Sequence, residues 1–374
     1  MRLPKITKPY HLKDYKFNLV ITVMALSILG IMVIGSAKKA VQSKQIVGLI
    51  LGLIVMVIVS LVDYIWVLNF YWILYAVNIA LLLITKFFGT SVNNAQRWID
   101  LKIIQFQPSE MTKLLLILFF AKFLMRHEED LNTFKTIISA VLLLVPSLFL
   151  IIMQPDLSTT ICIAMVFCVL MYLAGLSYKF IGTMLAIMVP AAVIFIFIVI
   201  QPNQTLIKEY QQTRILAWLE PQKYASDEAF QQNNSIMAIG SGQLTGKGLN
   251  NNTTTSVKNG NFILEPQTDF IFAIVGEELG FVGCCIVIGL LLLIIIECII
   301  IGMKAQDLSG RIICCGIAAQ IAIQSFINIS VATGIFPNTG IPLPFVSYGL
   351  TSLVTMYIGI GLVLNVGLQP KKYQ

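Results

Sequence analysis

Long uncharged stretches recur along this chain, and they constrain its fold more than any other feature. The first runs from Phe17 to Ser36, and about 20 such residues are what a helix needs to cross the hydrocarbon core of a bilayer. Of all residues, 57% are hydrophobic and 11% are charged, whereas soluble domains carry roughly 45–50% apolar and 25% charged residues. The sequence therefore predicts a multi-pass membrane protein.

The apolar stretches predict ten transmembrane helices in one polytopic domain, residues 1–374, of the all-α class. In chain order they cover residues 17–36, 46–62, 65–85, 108–125, 136–153, 159–174, 180–200, a span beginning near 280, 312–335 and 345–366. One large polar link, residues 201–268, separates spans seven and eight. Basic residues in the other links predict that both termini are cytoplasmic. Lys38, Lys39 and Lys44 in the first link oppose this orientation.

The charged residues exclude several classes of function. The net charge of +7 is spread over the links between apolar stretches, so it is interpreted as a topology signal, and no nucleic-acid partner is expected. The two histidines, His11 and His127, lie in charged flanks and form no metal-ligand cluster. No organic cofactor is expected.

The stretch 264–283, LEPQTDFIFAIVGEELGFVG, contains carboxylates at the edge of the membrane. Asp269 precedes an apolar run in which Glu277 and Glu278 are embedded, and a charge there costs at least about 2.5–3.5 kcal/mol. Asp269 either caps a transmembrane helix or is a working carboxylate at the membrane surface. The run 269–303 corresponds to about 52 Å of helix, far more than a bilayer core. We therefore expect a half-helix over Phe270–Leu279, with the true span beginning near Gly280.

Other unusual polar residues fall on the same predicted side of the membrane as Asp269. They are Arg97, Trp98, Lys113 and Asp156. A carboxylate can act as a general base on a hydroxyl, and Arg or Lys can hold phosphates. The set suits a ligand with a head group in water and a tail in lipid. Two simpler interpretations stay open: Trp98 as an interfacial anchor and Lys113 as a lysine that extends its charge to the membrane surface.

Span nine carries three polar residues on one face, Gln320, Gln324 and Asn328. Such residues commonly form hydrogen bonds between transmembrane helices. A transport path lined by the same face is the alternative.

Five motifs resemble the SEDS family (shape, elongation, division and sporulation proteins), and the resemblance runs from about Lys13 to Val366. They are Asn94–Lys113 (NAQRWIDLKIIQFQPSEMTK), Gln154–Leu157 (QPDL), Ile239–Leu249 (IGSGQLTGKGL), Thr268–Gly283 and Gly340–Gly349 (GIPLPFVSYG). The shared order of all five makes the resemblance specific.

The resemblance implies a peptidoglycan glycosyltransferase with ten spans in the cytoplasmic membrane of a bacterium and an active site on the outer face. Its substrates would be lipid II and the growing glycan strand, and its partner a class B penicillin-binding protein. By resemblance, Asp269 is the general base and Trp98 and Lys113 are essential residues. Further substrate-binding residues would be Arg97, Asp156, Glu265 and Ser347.

The chain also departs from the family pattern. A histidine that often precedes Thr-Asp-Phe is absent, and Gln105 and Thr339 stand where many division-type members have basic residues. These losses favour the RodA-like elongation branch or the sporulation branch. They leave fewer positive charges for a pyrophosphate, so a divalent cation, Mg²⁺ or Mn²⁺, is expected to assist.

Two other functions remain in view at this stage. A transporter that flips lipid-linked precursors would use the polar face of span nine and the proline-broken spans. A scaffold for a transpeptidase would carry no catalysis of its own.

Overall fold

The computed structural model describes residues 14–92, 95–100, 105–201, 204, 209–224, 228–250, 263 and 265–369. These residues form thirteen helices and three short strands. In chain order they are α1 (Phe17–Ala37), α2 (Lys39–Leu61), α3 (Tyr64–Leu68), α4 (Tyr71–Phe88), β1 (Thr90–Val92), β2 (Ala95–Asp100), β3 (Gln105–Phe106), α5 (Pro108–Arg126), α6 (Phe134–Met153), α7 (Leu157–Leu173), α8 (Tyr178–Val199), α9 (Glu209–Leu219), α10 (Glu228–Ser241), α11 (Ile271–Met303), α12 (Leu308–Ala332) and α13 (Leu350–Gly367).

The predicted apolar stretches are helical. Within the described part of the chain, ten helices have 17 or more residues, namely α1, α2, α4 to α8 and α11 to α13. Seven of them are long and apolar enough to cross a membrane, and α7 is a shorter apolar helix. Large apolar side chains such as Phe281 and Leu293 face outward, where lipid rather than water would surround them. The fold is that of a helical, multi-pass membrane protein.

Several helix boundaries differ from the prediction, most of all those of the second and third predicted spans. Helix α2 begins at Lys39, so the lysine-rich first link is largely helical. The third stretch is divided into α3 and α4, and the Asp63 carboxylate caps α3 by accepting a hydrogen bond from the Ile65 N–H at 3.0 Å. Charge alone did not mark either change: no side chain caps the start of α2, and the start of α3 depends on the Asp63 cap.

A small antiparallel sheet lies in the link between the third and fourth predicted spans. Strand β2 pairs with β1, with Thr90 opposite Trp98, and with β3, with Ile99 opposite Phe106. Aromatic and β-branched residues favour such pairing. The expectation of an all-α protein is therefore corrected to a predominantly helical one with a three-stranded sheet.

Helix α11 is broken where the sequence predicted a half-helix to end. Gly280 has φ 65° and ψ −163°, a conformation that glycine adopts readily. A Cβ at this position would lie 2.3 Å from the Gly246 nitrogen. The break therefore needs glycine both for its backbone angle and for the close approach of the preceding loop.

The loop 242–248 satisfies backbone groups that the break exposes. The N–H groups of Lys247 and Gly248 donate to the carbonyls of Glu277 and Glu278 at 3.0 and 2.9 Å. In the opposite direction, the Phe281 N–H donates to the Gln243 carbonyl at 2.8 Å. Buried backbone groups need such partners, so the loop is an integral part of the half-helix.

The large polar link 201–268 contains helices α9 and α10. Helix α9 contains apolar residues among polar ones, a pattern typical of a short surface helix, whereas α10 gives no such signal. Both are tied to the end of α12, since the Trp218 indole donates to the Gly334 carbonyl at 3.1 Å and the Ser235 hydroxyl to the Ala332 carbonyl at 2.8 Å. Residues 202–203, 205–208, 225–227, 251–262 and 264 of this link lie outside the described part.

Helices α12 and α13 are the most enclosed of the apolar helices. Helix α12 packs against α5, α7, α10, α11 and α13, so polar side chains along it lie in the interior of the bundle. This position makes α12 the element that connects the separate parts of the site.

Candidate active site

Asp269 lies in the turn that leads into α11. It does not cap this helix, because the N-cap residue is Phe270 and no side chain caps it. The capping interpretation of Asp269 is therefore wrong. Asn328 of α12 holds the turn in place, and its amide donates to the carbonyls of Asp269 and Ile341 at 2.8 and 2.7 Å. The carboxylate thus has a fixed backbone and no capping role.

The surroundings of Asp269 suit a proton acceptor. Burial raises the pKa of Asp269 to about 6, and the guanidinium groups of Arg214 and Arg97 oppose this rise. On the other side, Gly340 lies next to the carboxylate: a Cβ there would be in van der Waals contact with the Asp269 Oδ2 at 3.5 Å, and its φ of 72° favours glycine. A base with a pKa near the working pH combines ionisation with proton affinity.

Arg97 connects the small sheet to the turn between α6 and α7. Its Nε donates to the Gln154 carbonyl at 3.3 Å, a second nitrogen donates to the Pro155 carbonyl, and its Nη1 lies 3.8 Å from the Asp156 Oδ1. Asp156 is buried and also accepts from the Thr159 N–H at 3.2 Å, which caps α7. The prediction that these two residues share a site with Asp269 agrees with the influence of both on its pKa.

Trp98 follows Arg97 in strand β2. Neighbouring side chains in a strand point to opposite faces of the sheet, so the indole of Trp98 projects away from the Arg97 side. It is half-buried. Interfacial anchoring and stacking on a sugar both stay predictions for this residue.

Lys113 is enclosed rather than extended to the membrane surface. Its Nζ lies 2.7 Å from the Glu110 Oε1 and 2.9 Å from the Gln324 Oε1, and both charged side chains are 2% exposed. The Ser352 hydroxyl donates to the second Glu110 oxygen at 2.9 Å. The interpretation of Lys113 as a lysine that reaches water is therefore wrong, and its binding to phosphate stays a prediction.

The Lys113 network continues to the loop that faces Asp269. Gln324 donates to the Pro342 carbonyl at 3.0 Å, and Pro342 is two residues from Gly340. The polar face of α12 thus forms hydrogen bonds within the bundle, as its spacing predicted. Gln324 and Asn328 both hold the loop that approaches the carboxylate.

Ser347 positions backbone rather than presenting a free hydroxyl. Its Oγ donates to the Thr268 carbonyl at 2.6 Å and accepts from the Leu343 N–H at 2.7 Å. Gln45 of α2 reaches the same place, and its amide donates to the Ser347 carbonyl at 3.2 Å. The loop 340–349 is thereby fastened to the residue before Asp269.

Glu265 lies at the outer rim. It pairs with Lys38 at 3.4 Å, and both side chains are largely exposed, 63% and 47% respectively. Exposed ion pairs contribute little to stability, so the carboxylate is open to a ligand. The contact also explains the lysines of the first link, which lie at the same end as Asp269.

Sequence reasoning missed three residues of this region: Glu110, Gln45 and Arg214. The spacing of three residues between Glu110 and Lys113 is a signal of a pair on one helix face. Gln45 and Arg214 gave no such signal, because their partners are distant in the sequence.

The comparisons with known proteins show the family of this chain. The profile of the FtsW/RodA/SpoVE family, described as cell cycle proteins, matches residues 14–372. The chain belongs to this family. The resemblance drawn from the five motifs is thereby confirmed.

This chain is similar to proteins named as peptidoglycan glycosyltransferases. It is 34% identical over 352 residues to the peptidoglycan glycosyltransferase MrdB of Escherichia coli K12, covering 93% of this chain and 92% of the relative. It is 35% identical over 298 residues to a probable peptidoglycan glycosyltransferase FtsW of Haemophilus influenzae, covering 77% and 71%.

Solved structures extend the likeness to three dimensions. One is a chain of a peptidoglycan synthase complex that coordinates polymerisation and crosslinking, with a TM-score of 0.78, 29% identity and coverage of 94% and 97%. Another is the rod shape determining protein RodA of Thermus thermophilus, with a TM-score of 0.67, 26% identity and coverage of 94% and 96%. The fold described above is the fold of the family.

Proposed function

We propose that this peptidoglycan glycosyltransferase uses Asp269 as the general base for polymerising lipid II into glycan strands. The observation that carries the proposal is a carboxylate set beside two arginines, with its pKa raised by burial to about 6. Its relatives are named as peptidoglycan glycosyltransferases, which supplies the reaction class. At neutral pH the group is mostly ionised and able to accept a proton.

The reaction follows from this one base. Asp269 takes the proton of the acceptor sugar hydroxyl while the oxygen forms a bond to the anomeric carbon of the growing strand. The bond from that carbon to the pyrophosphate of the lipid carrier breaks, and the pyrophosphate leaves with the electron pair. A single direct displacement inverts the configuration at that carbon. The proton remains on Asp269 until it is lost to water.

The leaving pyrophosphate needs positive charge near Asp269. Arg97 and Arg214 are the cations whose charge acts on the carboxylate, and guanidinium groups bind phosphate oxygens well. Lys113 is neutralised by Glu110 in this structure, so it would act on phosphate only after exchanging partners. We therefore assign the first contact with pyrophosphate to the arginines.

A divalent cation remains a prediction. Within the described residues, no group of three or more His, Cys, Asp or Glu side chains is arranged to hold a metal ion. Mg²⁺ is commonly bound by one or two carboxylates together with substrate phosphates. Asp156 is a suitable carboxylate, since Asp269 must stay free to accept a proton, and the pyrophosphate would provide further oxygens. When bound, the ion would neutralise charge on the leaving group.

The helical order supports ten spans that alternate in direction. The Asn132 amide donates to the Gly175 carbonyl at 3.2 Å, which joins the α5–α6 and α7–α8 links at the end opposite Asp269. The Tyr64 hydroxyl donates to Asp307 at 2.9 Å, which joins the α2–α3 and α11–α12 links at that end.

An even number of spans puts both termini on the side away from Asp269, which we assign to the cytoplasm. The active site and the link 201–268 then face the outside of the bacterial inner membrane. A single cysteine at Lys223, in a protein cleared of native cysteines, should react with an impermeant maleimide on intact cells stripped of outer layers. Reaction only after permeabilisation would reverse the orientation.

The partner would be a class B penicillin-binding protein, which crosslinks the strands. The similar chain in the peptidoglycan synthase complex belongs to an assembly that coordinates polymerisation with crosslinking. Which branch of the family this chain serves is a proposal from its motifs, and the loss of basic residues at Gln105 and Thr339 favours elongation and cell shape.

The transporter alternative loses its main support. The polar residues Gln324 and Asn328 of α12 are buried and bonded to backbone carbonyls or to Lys113, so they do not line an open path. Purified protein supplied with lipid II should yield glycan polymer, resolved by gel electrophoresis. Movement of labelled lipid across vesicles without polymer would instead support the transporter.

A further inference from the structure

A groove with two lysines lies at the end of the bundle opposite Asp269. It is formed by the residues before α1, the last turns of α11 and the end of α13, and it has a volume of about 200 Å³. Lys16 and Lys304 stand at its rim, with Ile300, Ile301 and Glu297 along its wall. None of these residues belongs to the site described above.

Both lysines are built into the groove rather than scattered on the surface. A Cβ added at Gly367 would lie 3.5 Å from the Lys16 Cγ and 3.3 Å from the Ile301 Cγ2. The hydrocarbon stem of Lys16 therefore lies across the close packing of α13 on α11. Lys304 follows the last residue of α11. Two separate elements thus bring two ammonium groups to one opening.

The charges of the groove have the sign and number that suit a phosphate diester. Lys16 and Lys304 are exposed and, within the described part of the chain, neither is engaged in an ion pair. Glu297 is the acid on the wall, seven residues from Lys304, which is about 10 Å along the helix. The three charges sum to +1. Because Glu297 repels an anion from deeper along the groove, a bound phosphate would stay beside the two lysines.

The apolar surface beside the groove indicates where the rest of the ligand would lie. Ile296, Ile299, Ile300 and Met303 of α11 are exposed and run from the lysine level toward the middle of the membrane. Acyl chains would cover this strip, as basic pockets between transmembrane helices bind anionic lipid head groups.

We propose that this groove binds one anionic glycerophospholipid of the surrounding leaflet, with its phosphate diester between Lys16 and Lys304. The lipid would contact α1, α11 and α13 at the end of the bundle opposite Asp269. The site is distinct from the substrate site and does not depend on the proposed reaction.

The test measures lipid binding to purified protein in detergent by thermal shift, with phosphatidylglycerol, phosphatidylcholine and inorganic phosphate as probes. Phosphatidylglycerol should raise the melting temperature at concentrations where the other two do not. The double variant Lys16→Gln/Lys304→Gln should need about 30-fold more phosphatidylglycerol for the same shift, since each lysine near a membrane surface contributes about fivefold to affinity.

The matched control is Lys135→Gln/Lys179→Gln, which removes two exposed lysines from the same end of the bundle. It should respond to phosphatidylglycerol like the parent protein. Equal responses of the two double variants would overturn the site, as would an equal shift by phosphatidylcholine. A shift by inorganic phosphate alone would make it a site for free anions and overturn the lipid assignment. The single variants Lys16→Gln and Lys304→Gln serve if the double variant fails to fold, and a normal response from both would overturn the proposal.

Discussion

Helix α11 has two halves that meet at Gly280 and are held by different forces. In the half that follows Asp269, every residue from Ile271 to Glu278 is buried, including two glutamates. In the longer half, apolar residues alternate between buried positions and positions open to lipid. The first half is held by polar contacts in addition to apolar packing, whereas the second half is held mainly by apolar packing.

The polar contacts of the first half come from the loop 242–248 and from Ser36 of α1. Lys247 lies 2.9 Å from the Glu277 Oε1, the Ser36 hydroxyl donates to Glu278, and backbone bonds join residues 243–248 to 277–282. Such contacts have direction, whereas lipid tails do not distinguish one apolar residue from another. The comparison teaches that the placement of Asp269 depends on the loop 242–248. The longer half of α11, after Gly280, anchors the first half in the membrane.

The largest expected effect is at the carboxylate. Asp269→Asn should lower lipid II polymerisation by at least about 100-fold, because a general base contributes about 10²–10⁴-fold. Its thermal stability should not fall. Folding raises the pKa of Asp269 above the unfolded value of 3.8, so this group's stabilising contribution is present below that value and is lost as the pH rises through about 6. Polymer yield tests the predicted loss of activity, and the melting temperature above pH 6 tests the predicted stability.

Lys113→Met should cause the next largest effect, on stability as well as on activity. It leaves Glu110 buried without its cation, and breaking a buried pair costs about 3–5 kcal/mol. The melting temperature should fall clearly. The double variant Glu110→Gln/Lys113→Met should regain stability, and its polymerisation then reports whether the lysine charge is needed. Full activity of this double variant would remove Lys113 from the substrate site.

The dependence of polymerisation on pH should report the same carboxylate. The base must be ionised, so activity at limiting lipid II should be half-maximal near pH 6 and about tenfold below its maximum at about pH 5. A rate that is flat between pH 5 and 7 would argue against Asp269 as the base.

A smaller loss is expected when the loop is released from the half-helix. Lys247→Met removes the cation that faces Glu277, and a displacement of about 1 Å at a reacting group can cost about 10²-fold. Because the backbone bonds of the loop remain, we expect about tenfold less polymer. Lys247→Arg keeps the charge and should retain most activity. If Lys247→Met and the parent are equally active, the loop does not position Asp269.

The division of α11 could be predicted from the sequence, while most of its polar contacts could not. An apolar run of 35 residues is too long for one span, and glycine marks the break, so both features are local. The pairing of Lys113 with Glu110 needed only a spacing of three residues and was overlooked. Its contact with Gln324, and the contact of Asn328 with the Asp269 turn, join residues far apart in the chain, which no local pattern encodes.

Two of the remaining features also depend on tertiary context. The sheet around Trp98 forms from strands of two to six residues, which are too short for a clear alternating pattern. Helix α10 is polar enough to resemble a loop, and it is fixed by bonds from Gln232 and Ser235 to carbonyls at the end of α12. Because contacts with other parts of the fold stabilise the sheet and α10, the sequence alone did not indicate either element.

The smallest expected effect is in the membrane half, at a leucine that faces lipid. Leu293 is 51% exposed, whereas Leu291 of the same half is 2% exposed. Leu291→Ala should destabilise the protein by about 2–5 kcal/mol through a buried cavity. Leu293→Ala should change stability by no more than about 0.5 kcal/mol, because lipid replaces the lost contacts, and polymerisation should equal that of the parent. The melting temperatures of the two variants in lipid nanodiscs check this pair. A large loss at Leu293 would mean that a partner protein or a tightly held lipid, rather than bulk lipid, covers that face of α11.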